Sequence, residues 1–202
     1  MIIQIENALS DQDCHCLAKM YDQHVHLSKE QYLHLSKERE QSPILFWYHL
    51  EALSGAIEIF QRVVSECSDK IIESFGLERL LYPETVILAR MGPGGYHPRH
   101  ADNSRQDEQG NWVPNHSPQR DLSAIYYLNG DFEGGELVFP RHGLTIKPRI
   151  GLLVAFPGDG DHMHEVVPVR TGFRYTLPIW FTKQEAFGLK NLSGCEAPIH
   201  PR

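Results

Sequence analysis

The chain has 202 residues, of which 26 are Asp or Glu and 19 are Lys or Arg, so its formal net charge is −7. Hydrophobic residues make up 41% of the sequence and charged residues 22%, which is typical of one globular domain with an apolar core. The negative charge argues against nonspecific binding to nucleic acid or to an anionic membrane surface, because both are polyanions.

Membrane and secretory segments are not predicted. The apolar runs, such as 150–156, are much shorter than the roughly 18–20 residues that a membrane-spanning helix needs. The first basic residue is Lys19, and no small-residue cleavage site follows an apolar stretch, so the N-terminus does not resemble a signal peptide. The four cysteines fit neither a disulfide scaffold nor a zinc-knuckle pattern. We therefore expect a cytoplasmic protein with reduced thiols.

The N-terminal third is predicted to be helical. Ser10 and Asp13 form a capping-box pattern, and apolar residues at helical spacing follow it, which predicts an amphipathic helix over 11–25. The segment 26–40 contains the same five polar-rich residues twice and is interpreted as a polar helix or a loop. An apolar stripe over 50–75 then predicts a longer helix.

From Leu80 onward, short β-rich runs alternate with turns rich in Gly, Pro, Asn and Asp. This pattern predicts an α+β fold that is mainly β, a sandwich or closed barrel with the helices packed on one face. We divide the chain into a helical region (1–79), a β domain (80–183) and a C-terminal tail (184–202). The predicted strands are TVILARM, LSAIYYL, ELVF, LTIK, LLVAF, EVVPV and RYTLPIWF.

Three residues, His100, Asp102 and His164, are candidates for a metal site, and we call them the triad. Residues i and i+2 of a strand point to one face, so the first two can direct an imidazole and a carboxylate to one point. A histidine from a facing strand completes a 2-His-1-carboxylate set, which binds Fe(II) and leaves coordination positions open. The alternative interpretation is a hydrogen-bonded surface pair with an unrelated histidine.

Four stretches around the triad resemble the prolyl-hydroxylase-like Fe(II)/2-oxoglutarate oxygenases, and their order is most similar to the prolyl 3-hydroxylase (leprecan) branch and related bacterial hydroxylases. They are HADN, RDLSAIYYLNGDFEGGELVF, GLLVAFPG and HEVVPVRTGFRYTLPIWF, which fall within 90–183. The resemblance implies a double-stranded β-helix (jelly-roll) core. It also implies Fe(II), 2-oxoglutarate and O2, with ascorbate as a reductant.

The resemblance further implies roles for individual residues. The triad would bind iron, and Arg174 would bind the distal carboxylate of 2-oxoglutarate, for which its planar guanidinium is suited. Tyr127 matches a tyrosine that hydrogen-bonds the same carboxylate. Thr176 shares a strand face with Arg174 and would add a hydroxyl donor. The alternatives are a surface position for Arg174 and plain core packing for Tyr127.

A substrate pocket is expected around Trp180, Arg90 and Asn103, although Trp180 is also explained as a core residue. The polar stretch 103–120 is either a lid over the substrate or a solvated insertion. Many family members have a tyrosine three residues before the first iron ligand, and this chain has His97 there.

The resemblance implies a dioxygenase that hydroxylates an unactivated C–H bond. Its substrate would be a prolyl residue in a peptide or protein, or a free amino acid or small natural product. A nucleic-acid substrate is not expected, because Trp180 stands where the family's demethylases carry a second arginine. Two alternatives remain: a jelly-roll metal-binding or sensor protein without turnover, and a cupin-type metal-dependent isomerase or hydrolase. The second alternative would use His97 or His162 as a ligand and make Asp102 dispensable.

Overall fold

A computed structural model of the protein describes residues 1–29, 43–49, 56–78, 80–190 and 192. The α-helices are α1 (Asp11–His24), α2 (His26–Lys29) and α3 (Ala56–Phe75). The strands are β1 (Ile3–Ile5), β2 (Ile44–Phe46), β3 (Tyr82–Met91), β4 (His97–His100), β5 (Ser104–Gln106), β6 (Trp112–Pro114), β7 (Leu122–Tyr127), β8 (Glu133–Gly134), β9 (Leu137–Phe139), β10 (Leu144–Ile146), β11 (Leu153–Pro157), β12 (His164–Val166), β13 (Val169–Thr171) and β14 (Arg174–Thr182).

Two antiparallel sheets form the core of the domain. The larger sheet has the order β1-β11-β7-β14-β3-β2, and the smaller sheet has the order β10-β9-β12-β4. Their facing sides share an apolar cluster, to which Val154 and Phe156 contribute from the larger sheet and Leu137 and Phe139 from the smaller. Two short pairs, β13 with β8 and β5 with β6, connect the ends of these strands. The predicted mainly β jelly roll is confirmed.

Both faces of the larger sheet are apolar. Successive side chains of a strand point to opposite sides, so a continuous apolar run such as that of β11 supplies both faces. In β11, Val154 and Phe156 face the smaller sheet, whereas Leu153 and Ala155 pack in the other cluster with the helices. The helices therefore cover one face of the larger sheet, as predicted. The helical residues buried in that cluster are Cys14, Leu17, Tyr21, Phe60, Val63, Val64, Cys67 and Ile71.

The N-terminal region contributes strands as well as helices. Helix α1 begins after Ser10, whose hydroxyl accepts a hydrogen bond from the Asp13 N–H at 3.1 Å, as the capping-box pattern predicts. Strands β1 and β2, however, form the two edges of the larger sheet. Sequence periodicity did not reveal them because three-residue strands carry too short a pattern. The predicted segment 26–40 is helical as far as its described residues extend, and 50–55 lies outside the described residues.

The start of the C-terminal tail packs on the β domain. The N–H of Leu189 donates to the carbonyl of Pro83 at 2.7 Å, and Gly188 lies against the side chain of Tyr82. The rest of the predicted tail, apart from Leu192, lies outside the described residues. Among the described residues, no helix combines the length and apolar character needed to cross a bilayer.

The packing of α3 on the larger sheet predicts a large loss of stability for Phe60→Ala. Phe60 is 2% exposed in the cluster between helix and sheet. Removing a buried phenyl ring leaves a cavity and should lower the free energy of unfolding by about 3–5 kcal/mol. Urea denaturation measures this change. Glu73→Ala, at an exposed position of the same helix, is the control and should change it by less than about 0.5 kcal/mol. Similar losses for both variants would contradict the packing described.

Candidate metal and co-substrate site

The structure brings the three triad residues together. Nε2 of His100 lies 3.6 Å from Oδ1 of Asp102, and Nε2 of His164 lies 3.9 Å from Oδ2 of Asp102. The three ligand atoms all lie within 4.8 Å of one another, a spacing that small side-chain rotations adapt to one central ion. Within the described part of the chain, no other three His, Cys, Asp or Glu side chains form such a group. The arrangement suits a metal bound through three positions with others left open.

Strand pairing places the two histidines, and a bend places the carboxylate. His164 begins β12 directly opposite His100, the last residue of β4, and their ring centroids are 4.4 Å apart. We expected His100 and Asp102 to project from one strand, but β4 ends at His100 and Asp102 lies in the bend that follows. The two side chains nevertheless converge, because the chain after the bend stays beside the segment that precedes β12, where the N–H of Asn103 donates to the carbonyl of Gly158 at 2.9 Å.

Hydrogen bonds orient each triad side chain. Nδ1 of His100 lies 2.9 Å from the carbonyl of Pro98, and Nδ1 of His164 lies 3.1 Å from the carbonyl of His162. Since a carbonyl only accepts, each Nδ1 carries a proton, and in the neutral form of each ring the lone pair of Nε2 points to the centre. The hydroxyl of Ser123 donates to Oδ2 of Asp102 at 2.6 Å. The ring orientations needed for metal binding therefore exist in the protein alone.

The protonation states of the buried triad members also suit a cation. Burial acts to raise the pKa of Asp102, but the hydrogen bonds and charges of the neighbouring histidines and Ser123 outweigh it and hold that pKa well below its usual range. Burial lowers the pKa of His164 to about 4. A carboxylate and a neutral imidazole, the forms that bind metals, are thus present at neutral pH. The pKa of His100 is raised, because the bond and charge from Asp102 exceed the effect of burial.

A buried arginine without a carboxylate partner lies on the same side of the larger sheet. Arg174 is 3% exposed, and its guanidinium donates to two neutral groups, the carbonyl of Gly135 at 3.1 Å and the hydroxyl of Thr176 at 3.5 Å. Its Cζ lies 5.0 Å from the ring centroid of Tyr127. No described Asp or Glu forms an ion pair with it. A buried cation of this kind is costly unless an anion accompanies it.

The hydroxyl of Tyr127 is a second unsatisfied group at this place. Tyr127 is fully buried, and its oxygen makes no hydrogen bond of ordinary geometry. Burial raises its pKa, and the nearby Arg174 only partly opposes that effect. An unpaired donor beside an uncompensated guanidinium fits a ligand carboxylate. The residues of this chain therefore fit both a divalent metal at the triad and a dicarboxylate reaching Arg174.

Residues 86–182 match the family model of the 2OG-Fe(II) oxygenase superfamily, and this range contains the triad, Tyr127, Arg174 and Thr176. These residues form a 2OG-Fe(II) oxygenase domain. The chain is 34% identical over 137 residues to prolyl 3-hydroxylase 2 of Gallus gallus, which covers 59% of this chain and 20% of that protein. It is 40% identical over 94 residues to prolyl 3-hydroxylase 3 of Mus musculus, covering 43% of this chain and 13% of that protein. The chain thus spans about a fifth or less of the length of these relatives.

Two solved structures share the fold of this oxygenase domain. The viral collagen prolyl hydroxylase of Paramecium Bursaria Chlorella virus-1, in its 2OG complex, superposes with a TM-score of 0.65 at 20% identity, covering 91% of this chain and 96% of that one. A prolyl-4-hydroxylase of Pseudomonas putida superposes with a TM-score of 0.62 at 22% identity, covering 91% and 92%. At these identities the likeness establishes the jelly-roll architecture.

Beside the predicted pocket residue Trp180, sequence reasoning missed two charged residues, Arg120 and Glu84, and we call the three together the polar wall. Trp180 pairs with Ser123 across β14 and β7, so it shares the face that holds Asp102. Cζ of Arg120 lies 4.3 Å from the Trp180 ring, and its Nε donates to Glu84 at 2.9 Å. Glu84 is the extra residue of a bulge, because Thr85 and Pro83 pair with consecutive residues of β14. No local sequence signal indicates this bulge or the stacking, which both depend on strand register.

The other two predicted pocket residues, Arg90 and Asn103, lie in different parts of the structure. Arg90 pairs with Tyr175 on the helix-covered face, where it contacts Tyr21 and Phe173 and forms an ion pair with Asp22 at 3.0 Å. The structure thus does not bring Arg90 to the triad. Met91, the next residue of β3, faces the smaller sheet, so Arg90 points to the opposite face.

Asn103, in contrast, follows the triad carboxylate directly. Its side chain donates to the carbonyl of Arg120 at 3.1 Å, and it lines a cavity of about 450 Å³ between the β5–β6 pair and residues 159–161. The two histidines of the cupin-type alternative are not part of the triad group. His162 is bound through Nδ1 to Asp159, and His97 is exposed with its ring 4.2 Å from that of His100.

Asp102→Ala should abolish tight metal binding to the oxygenase domain. Co(II), which is much less readily oxidised by air than Fe(II), is a suitable probe for the Fe(II) position, and calorimetric titration gives its Kd. Mutation of a residue that only hydrogen-bonds to a metal ligand changes metal affinity by about 10–100-fold. Removal of the ligand itself should therefore raise the Kd by more than about 100-fold. His97→Ala removes a candidate ligand of the cupin-type set and should weaken Co(II) binding far less than Asp102→Ala. The reverse pattern would support the cupin-type ligand set instead.

Proposed function

We propose that the protein is an Fe(II)- and 2-oxoglutarate-dependent dioxygenase that hydroxylates an unactivated C–H bond of a prolyl residue in a peptide or protein. The observation that carries this proposal is the combination of an open three-residue metal site with a buried, uncompensated Arg174 on the same side of the sheet. Metal binding alone does not explain Arg174, because a buried guanidinium without an anionic partner is energetically costly.

Each residue of the site has a defined part in this reaction. When bound, the metal supplies the redox chemistry in which O2 and 2-oxoglutarate yield succinate, CO2 and a hydroxylated substrate. His100, His164 and Asp102 hold it from one side, and Ser123 restricts rotation of the carboxylate. The proximal end of 2-oxoglutarate would reach the metal while Arg174 binds the distal carboxylate.

Apolar side chains exclude water from this place. The ring of Phe156 lies 4.7 Å from that of His164, and the ring of Phe139 lies 5.6 Å from it, both centroid to centroid. These residues belong to the cluster between the two sheets, which also contains Tyr127. A dry surrounding strengthens the electrostatic contacts to the co-substrate and protects reactive species from side reactions.

The prolyl substrate is supported by the shape and chemistry of the polar wall. Trp180 offers a flat aromatic surface for a pyrrolidine ring, and Arg120, whose Nε is engaged by Glu84, has its terminal amino groups available for a peptide carbonyl. The relatives of this chain include prolyl 3-hydroxylases, and its structural neighbours include a collagen prolyl hydroxylase and a prolyl-4-hydroxylase. A free amino acid or small natural product is the alternative substrate class.

A cytoplasmic location and a need for ascorbate complete the proposal. Cys14, Cys16 and Cys67 are free thiols in the described residues, which suits a reducing compartment. Ascorbate would return oxidised iron to Fe(II).

Succinate formation from 2-oxoglutarate under air with added Fe(II) tests the reaction class. We expect slow turnover without a second substrate and faster turnover with prolyl peptides, whose products gain one oxygen atom by mass spectrometry. Asp102→Ala should abolish both activities. Stimulation by free amino acids, and not by peptides, would select the alternative substrate class. Tight metal binding without succinate would support the sensor, and equal turnover in both proteins would disprove the assigned ligands.

Arg174→Lys tests the co-substrate site separately from the metal. Lysine keeps the charge but not the planar pair of donors, so the KM for 2-oxoglutarate should rise at least about tenfold, which corresponds to roughly 1.4 kcal/mol of lost binding. Co(II) affinity should not change, because Arg174 does not contact the triad. Arg90→Lys is the control on the opposite face and should leave the KM for 2-oxoglutarate unaltered. An unchanged KM in Arg174→Lys would refute this role.

A further inference from the structure

The stretch between Asp102 and β7, interpretable from sequence as a lid or a solvated insertion, folds into a hairpin. Strands β5 and β6 pair in the register Ser104 with Pro114 and Gln106 with Trp112. One wall of the 450 Å³ cavity is formed by this hairpin and the other by residues 159–161. Ordered pairing and a second contacting segment distinguish the hairpin from a solvated loop.

The hairpin is attached to the second segment through Trp112 and Gly160. The indole lies so close to the Gly160 backbone that a Cβ atom there would overlap it, at 2.7 Å from Cε3 and nearer still to Cδ2 and Cε2. Only glycine permits this approach. Above the same indole, Cζ of Arg141 lies 5.8 Å from the ring and its guanidinium forms an ion pair with Asp161 at 2.6 Å. The indole therefore contacts Gly160 and lies beside the Arg141–Asp161 ion pair.

Gly160 begins a short turn that leads to the triad. The turn, Gly160–His162, is capped by the carboxylate of Asp159, which accepts from the N–H groups of Asp161 and His162 at 3.1 Å each. The carboxylate also binds Nδ1 of His162 at 2.7 Å. The carbonyl of His162 in turn accepts from Nδ1 of His164. The indole thus supports the turn whose carbonyl orients a triad imidazole.

The other end of the hairpin is attached to the backbone at Asp102. The N–H of Asn103 donates to the carbonyl of Gly158 at 2.9 Å, and the side chain of Asn115 donates to the carbonyl of Asp102 at 3.1 Å. Asp102 and the residues before His164 lie beyond the paired ends of β4 and β12. Hairpin contacts, rather than strand pairing, therefore connect these two segments.

We propose that the β5–β6 hairpin braces the metal site and that Trp112 is a positioning residue for His164. The face of the indole, and not its N–H, performs this role, because Nε1 of Trp112 is buried and has no hydrogen-bond partner. The inference depends on the proposed function only in requiring that the triad binds a divalent metal.

Trp112→Ala should raise the Kd for Co(II) about 10–100-fold, the range for residues that orient a metal ligand, and should alter the visible absorption of the bound Co(II). Trp112→Phe keeps an aromatic face on Gly160 and should stay within about threefold of the wild-type Kd. Val113→Ala, the neighbouring position on β6, is the matched control and should leave both the Kd and the spectrum unchanged.

Gly160→Ala removes the same contact from the other side and should raise the Kd to a similar extent. Because both changes break one interaction, the double variant Trp112→Ala/Gly160→Ala should be no weaker than either single variant. Circular dichroism of the metal-free proteins establishes that each variant is folded. Should Trp112→Ala not fold, Trp112→Phe and Gly160→Ala still decide the matter.

Wild-type Co(II) affinity in a folded Trp112→Ala or Gly160→Ala would overturn the proposal, as would a Trp112→Phe variant as weak as Trp112→Ala. A raised peptide KM with unchanged Co(II) affinity would also overturn it and assign the hairpin as a lid. Co(II) binding requires neither substrate nor turnover. Failure of the proposed function, seen as absent succinate with wild-type metal affinity, is therefore distinguishable from failure of this inference.

Discussion

The buried carboxylate of Asp102 is the constraint around which the site is built. The carboxylate of Asp102 is 6% exposed, and three side chains face it: Ser123, which donates a hydrogen bond, and the imidazoles of His100 and His164. A buried carboxylate is costly unless donors or positive charge lie beside it. These partners come from β7, β4 and β12, so both sheets must close before the charge is compensated. The fold and the metal site therefore form together, and a bound cation would complete the compensation.

Arg174 is a buried charge of the opposite sign. Its guanidinium donates hydrogen bonds to neutral groups and has no carboxylate partner among the described residues. The protein thus holds two buried charges of opposite sign beside one face of the larger sheet, Asp102 against Ser123 of β7 and Arg174 on β14, and each has an incomplete set of partners. A divalent metal completes one and a dicarboxylate completes the other. Any ligand that binds the folded state in this way also stabilises it. The unsatisfied hydroxyl of Tyr127 indicates the same preference for an anion.

The larger sheet divides stability and chemistry between its two faces. Side chains that pack with α1 and α3, such as Leu153, Leu177 and Ile179, are apolar, whereas the opposite face also carries Arg174, Thr176 and Trp180 of β14. Because successive residues of a strand point to opposite faces, Arg174 lies on the metal-site face whereas Tyr175, the next residue, packs with the helices. The same alternation explains why Arg90, beside Tyr175, belongs to the helix packing.

The sequence by itself determined the local structure and the residue types of the site. The Ser10 cap, the alternation of β14 and the motifs around the triad are local patterns, and each led to the right element or set of converging residues. The tertiary structure alone decided that Asp102 lies beyond its strand, that a bulge turns Glu84 towards Arg120, and that Trp112 rests on Gly160. These features depend on strand register and on contacts between distant segments, and periodicity within one segment contains no information about either.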